Sequence, residues 1–256
     1  MMTMFRSSLA ILALACSVAC VDKGQANPPP PPPPPPPAAT EYVVAVDMSS
    51  SLTPTEREGH EKLLRALVKE LSFGDRLVLL PTHAEGIRDA SVPRAVSMPI
   101  PSGAQPLKRE REELELARMT ADGYVTTLFK TEPVTGTDLF ATLHTAGEQA
   151  GQGRAGGHKV LVVLSDMLQC ARGGGVCMEH EGGLPDSAWI AARQQRGLIP
   201  SLQGVCVAVV GADASKAEGV DVREFWRRYF QSAGADFSPS RYVHNASTPA
   251  ALRCQI

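Results

Sequence analysis

The chain is poor in several things. Aromatic side chains are few, with two Trp, four Tyr and seven Phe among 256 residues. So thin a supply of rings does not suit the stacked platforms on which single-stranded nucleic acids bind. Neither sign of charge is in excess, since 25 Lys and Arg stand against 27 Asp and Glu. Nucleic-acid binding usually rests on a strong basic bias, so none is expected. No serine elbow and no His-Glu-x-x-His motif is present, which removes two common hydrolase classes. Long apolar runs are also missing. The run from Leu9 to Ala19 behind Arg6 is too short to span a bilayer and reads as the core of a signal peptide.

That run ends at Ser17-Val18-Ala19-Cys20, which resembles a bacterial lipobox, although Ser17 stands where leucine is usual. Ala13-Leu14-Ala15-Cys16 is a rival frame. The resemblance implies that residues 1–20 are an export address, that Cys20 is acylated, and that the protein is held at a membrane of the bacterial cell envelope; ordinary cleavage without a lipid would leave it periplasmic or extracellular. Residues 21–40 form a linker containing ten consecutive prolines, Pro28 to Pro37. Such a run adopts polyproline II, reaches about 30 Å at about 3.1 Å per residue, and serves as a stiff spacer. Residues 41–256 remain, about 215 in all, enough for one domain with a full core. Four cysteines fall in that domain: Cys170, Cys177, Cys206 and Cys254. Export places them where disulfides persist. A local bridge between Cys170 and Cys177 is plausible, but four cysteines allow three pairings and the sequence does not choose.

Strand and helix patterns alternate along the domain. Tyr42 to Val46, Lys159 to Leu164 and Gly204 to Val210 are continuous apolar runs, as strands covered on both faces should be. Arg76 to Leu80 is a further strand, Val92 to Met98 an edge strand interrupted by Pro93, and Tyr242-Val243 a short last one. Helices are predicted from Thr53-Pro54, from Pro106 to Phe129 over a core stripe of Leu114, Leu116, Ala117 and Leu128, and over 138–149, 187–196 and 222–233. The pattern predicts an α/β domain with a Rossmann-like, doubly wound, mostly parallel sheet flanked by helices. Gly151-Gln152-Gly153-Arg154-Ala155-Gly156 fits a dinucleotide fingerprint, but it precedes a strand instead of following one. Phe225, Trp226, Tyr229 and Phe230 on one helix are expected to pack in the core.

In open parallel sheets, ligands bind where loops leave the carboxyl ends of the strands. Asp47-Met48-Ser49-Ser50-Ser51 follows the first buried strand, and Ser165-Asp166 follows the 160s strand. Thr135-Gly136-Thr137-Asp138 lies at a helix entrance between them. Alternate residues of an extended loop point the same way, so Asp47, Ser49 and Ser51 face one place. Carboxylates and hydroxyls are hard ligands, suited to Mg²⁺, Mn²⁺ or Ca²⁺.

This arrangement resembles the von Willebrand factor type A domain and its metal-ion-dependent adhesion site. Asp47-x-Ser49-x-Ser51 matches that site's D-x-S-x-S letter for letter. Thr137 matches its distant Thr, with Thr135 a weaker substitute, and Asp166 matches its last Asp. The likeness covers roughly residues 41 to 245. It departs at Met167, where the family often has glycine, and at the Gly- and Cys-bearing insertion from Leu168 to Pro185. The resemblance implies that the five residues hold a metal with one exchangeable position. It further implies a protein partner that fills this position with an Asp or Glu carboxylate, and no catalysis. Two alternatives stand beside it: a metal-dependent phosphohydrolase on a similar sheet, and an envelope-assembly subunit whose metal is purely structural. The first is disfavoured because Ser49 occupies the place of the second aspartate it requires.

Overall fold

A computed structural model describes residues 39–83, 93–152, 157–171, 176–178, 184–213 and 217–252. The signal segment, the proline tract, Cys20 and Cys254 lie outside the described residues. Six strands form one sheet in the order β3-β2-β1-β4-β5-β6. They are β1 (Thr40–Asp47), β2 (Arg76–Thr82), β3 (Arg94–Ser97), β4 (His158–Leu164), β5 (Val205–Val210) and β6 (Asp236–Val243). All neighbours are parallel except β2 and β3. This is the expected α/β architecture. It places the chain's reversal of winding direction between β1 and β4, where such sheets open a crevice.

Helices cover both faces. On one side lie α1 (Pro54–Glu70) and α2 (Lys108–Lys130). On the other lie α3 (Leu139–Gly151), α4 (Ser187–Gln195) and α5 (Ala217–Ser232). Alternation along each central strand feeds the two layers. Val43 and Ala45 of β1 join the α3–α5 side, whereas Val44 and Val46 join the α1–α2 side. Because both faces are covered, the strands need no polar alternation, which is why they read as continuous apolar runs. No helix among the described residues is long and apolar enough to cross a membrane.

Three expectations need correction. Leu116 is 64% exposed on α2; the buried stripe of that helix is Leu114, Ala121, Val125 and Leu128. Two positions along an α-helix are about 200° of rotation, so Leu116 points away from the face on which Leu114 is buried. The last strand is eight residues, not two, because β6 completes the sheet edge beside β5 with a bulge at Val207/Val209. The last helix begins at Ala217, five residues earlier than its apolar stripe suggests.

Candidate metal centre

The first two loops of the site are held by backbone. The chain leaves β1 at Asp47, and α1 begins within seven residues at a capping box. There the Thr53 Oγ1 accepts the Glu56 N–H at 3.3 Å and the Glu56 carboxylate accepts the Thr53 N–H at 2.8 Å. Between these points the Ser50 N–H donates to the Val134 carbonyl at 2.8 Å and the Val134 N–H to the Met48 carbonyl at 2.9 Å. The segment carrying Thr137 is thereby stitched to the segment carrying Ser49 and Ser51. A third stitch comes from the disulfide between Cys170 and Cys177. The Cys170 backbone bonds Thr137 in both directions, at 2.9 and 3.0 Å. Cys206 is also disulfide-bonded.

The side chains converge on these supports. The Thr137 hydroxyl donates to Asp47 Oδ1 at 3.2 Å. Ser49 Oγ lies 2.8 Å from Ser51 Oγ, and Ser51 Oγ donates to Asp166 Oδ2 at 2.7 Å. All five predicted residues are thus brought to one place, at the carboxyl ends of β1 and β4. Thr135 is exposed, whereas Thr137 is fully buried and bonded to Asp47. The cluster is graded in depth: Asp47, Ser49 and Thr137 are buried, Asp166 is half-buried and Ser51 is exposed. It therefore opens to solvent on the Ser51 side.

Residues that the motif does not contain complete the site. Ser165 donates to Asp47 Oδ2 at 2.6 Å, and its hydroxyl accepts the Met167 N–H. Its position directly before Asp166, at the end of a buried strand, was the available signal. Gln169 caps α3 through its Oε1, which accepts the Leu139 N–H at 2.6 Å. Met167 has φ +66°, alone among the described non-glycine residues in the left-handed region. That conformation explains why glycine suits the position, and it costs a side chain about 1–2 kcal/mol. The cost is offset by burial, since Met167 is fully buried in the core. The Trp226 indole N–H also fixes the Met167 carbonyl at 2.9 Å.

The donors fit a small hard cation. Burial pushes the Asp47 carboxyl above its ordinary range, against hydrogen bonds from Ser165, Ser49 and Thr137 that pull it down. A buried carboxylate in that condition is stabilised by a neighbouring positive charge. Ligands at 2.0–2.1 Å in an octahedron stand about 3 Å from their neighbours, and the contacts here run from 2.7 to 3.2 Å. Among the described residues no group of three or more His, Cys, Asp and Glu converges as a metal site. The cluster has only two carboxylates, and hydroxyls supply the rest.

No family model matches the chain, and no curated protein matches it. Similar solved structures include the conserved hypothetical protein BatB from Bacteroides thetaiotaomicron, 17% identical over 68% of this chain and 66% of that one, with a TM-score of 0.38. The pilus adhesin SpaC from Lactobacillus rhamnosus GG, in its open conformation, is 12% identical over 84% of this chain and 28% of that one, with a TM-score of 0.45. A von Willebrand factor type A protein from Catenulispora acidiphila is 13% identical over 77% and 43%, with a TM-score of 0.35. The matched region thus spans just under two thirds of the first and less than half of the other two. At such identities and scores these likenesses carry nothing about the chemistry of the site.

Proposed function

We propose that the chain holds one divalent cation, Mg²⁺ or else Mn²⁺ or Ca²⁺, with Asp47, Ser49, Ser51, Thr137 and Asp166. In this reading it uses the ion to grip a protein partner that supplies an Asp or Glu carboxylate. One observation carries this reading. Five oxygen-bearing side chains from three separate loops meet at the winding reversal of the sheet: Thr137 on Asp47, and Ser49 through Ser51 to Asp166, at 2.7–3.2 Å, with the Ser49 backbone N–H on Asp47 joining the two groups and one side open to solvent.

When bound, the ion supplies a positive centre that attracts an anionic oxygen. The chain's own residues do the rest. Asp47, locked by Ser165 and the Ser49 N–H, anchors the buried side. Ser49 and Thr137 line the floor, and Ser51 and Asp166 stand at the solvent edge. Two carboxylates only balance a double positive charge, so a third carboxylate from a partner is still attracted. The signal segment, acylation at Cys20 and the proline spacer complete the proposal: a cell-envelope protein whose domain stands off a membrane to meet its partner. No catalysis is proposed, because Ser49 occupies the position where a phosphohydrolase would carry its second aspartate.

Calorimetry of the full chain with Mg²⁺, Mn²⁺ and Ca²⁺ is the direct test. Uptake of a single ion, lost in Asp47→Ala, is the expected result, and no heat with any of the three sinks the reading. Retrieval from envelope extract in Mg²⁺ should yield a partner that elutes with chelator. Partner binding that survives Asp47→Ala would reduce the ion to a structural role, and turnover of a phosphate ester would favour the phosphohydrolase.

A further inference from the structure

Beside the cation site runs a cleft of about 650 Å³ between α3, α4 and the disulfide loop. Asp138 and Gln169 line its near end, so it starts one residue from Thr137. Phe140, Trp189, Val176 and Leu198 give it apolar walls. Arg193 also lines it, with its guanidinium carbon 4.7 Å from the centre of the Trp189 ring and 5.3 Å from that of Phe140.

Arg193 is placed as a recognition group is placed. The two ring contacts hold the cation by its attraction to their faces and use none of its N–H groups. Among the described residues it forms no ion pair, and its Nε is buried without a hydrogen-bond partner. Several other arginines are ion-paired, although Arg57 Nη1 and Arg241 Nε are also buried without a hydrogen-bond partner. Arg65 pairs with Glu61 and Asp122, Arg227 and Arg228 with Glu224, and Arg241 with Asp236. The Nη groups of Arg193 are not among the buried atoms left without a partner, and a carboxylate entering the cleft matches the planar geometry in which they are presented. Asp138, the cleft's own carboxylate, is occupied in capping α3 through the Ala141 N–H at 3.1 Å.

We infer that this cleft is the second contact for the partner that reaches the cation: a peptide segment with two acidic residues, one for the ion and one for Arg193, with an apolar side chain beside the second seated against Phe140 and Trp189. The inference rests on the cation-binding reading above. It names the partner's chemistry: an extended acidic segment with an apolar residue, rather than a lone carboxylate.

Phage-displayed random peptides selected on the full chain in Mg²⁺ provide the probe. Selected peptides should share two acidic positions at a fixed spacing, with an apolar residue next to one of them. Arg193→Gln should weaken such a peptide by about tenfold or more, the scale expected when one side of a buried charged pair is removed. Changing the peptide's second acid to its amide should cause the same loss, and the two changes together should cost no more than either alone. Arg193→Lys, which keeps the charge but not the fork, should fall between and covers the case in which Arg193→Gln folds poorly. If the selected peptides carry a single acid and bind wild type and both Arg193 variants alike while chelator still abolishes binding, the inference is overturned and the cation reading stands. If no peptide binds in a chelator-sensitive way, the cation reading fails and takes this inference with it.

Discussion

The two sides of the sheet are built from different side chains. Toward α1 and α2 the buried residues are aliphatic or Met: Leu63, Leu64, Leu67, Leu71, Leu114 and Val125 among them. Toward α3, α4 and α5 the core holds Phe140, Phe225, Trp226, Tyr229 and Phe230, with neighbouring ring centroids 5.2–6.3 Å apart. The buried rings thus lie on one face, while Tyr42, Phe73, Tyr124 and Phe129 are only partly buried against the other. The aliphatic side contributes apolar burial, which has no direction. The aromatic side adds direction, because an indole has a polar edge and a ring face attracts a cation. Trp226 holds the Met167 carbonyl under the site, and Phe140 and Trp189 hold Arg193 beside it. On this side of the sheet the residues that pack the core also hold the Met167 loop and Arg193.

Substitutions test that contrast. Trp226→Ala should cost about 3–5 kcal/mol of stability, the range for a deleted buried ring. It should also weaken Mg²⁺ uptake, because the Met167 carbonyl loses its tie. Leu64→Ala on the opposite side should cost about 3 kcal/mol and leave ion affinity unchanged. Urea melts and ion titrations of the pair check both, and equal effects on ion binding would erase the distinction. Replacing Cys170 and Cys177 with Ser should cost about 2 kcal/mol, the loop-closure value for so short a ring. Ion affinity should fall as well, since Cys170 carries the backbone of Thr137.

A smaller effect belongs to pH. His60 of α1 is buried, and desolvation lowers its pKa to about 4, against raising contributions from Glu56 and the Val210 carbonyl. It packs so closely under Gly211 that a Cβ there would sit 2.7 Å from its Nε2. Between pH 6.5 and 4 the unfolded chain binds a proton at this residue that the folded chain refuses. His60 therefore contributes stability that is present above pH 6.5 and lost as pH falls toward 4. Between pH 7 and 4.5 that loss should amount to about 2 kcal/mol, and His60→Leu should remove it from the urea melts. The smallest effect is expected at Leu116→Gln, within about 0.5 kcal/mol by urea melt, because that side chain lies in solvent.

Much of this was legible in the sequence. Strands buried on both faces announce themselves as unbroken apolar runs, and alternate spacing predicted that Asp47, Ser49 and Ser51 share a direction. The pairing of β1 with β4 sets the loops that carry Asp47 and Asp166 side by side. Other features have no local signature. The bond from Ser165 to Asp47 spans 118 positions, and the backbone bridge from Cys170 to Thr137 depends on how the insertion folds back. Leu116 misled because an apolar residue on a helix reports its face only when the helix's orientation is known. Arg193 was silent, since nothing in its neighbours along the chain says that Phe140 will meet it from another helix.

The chain's two indoles are both stationed at the working end of the aromatic side. Trp226 is bonded to the loop beneath the candidate site, and Trp189 lines the cleft. The protein therefore carries its own optical gauge. Trp189→Phe leaves an emitter that follows the seating of the loop, and Trp226→Phe leaves one that follows the filling of the cleft, so fluorescence can time the two contacts of a partner separately without an added dye.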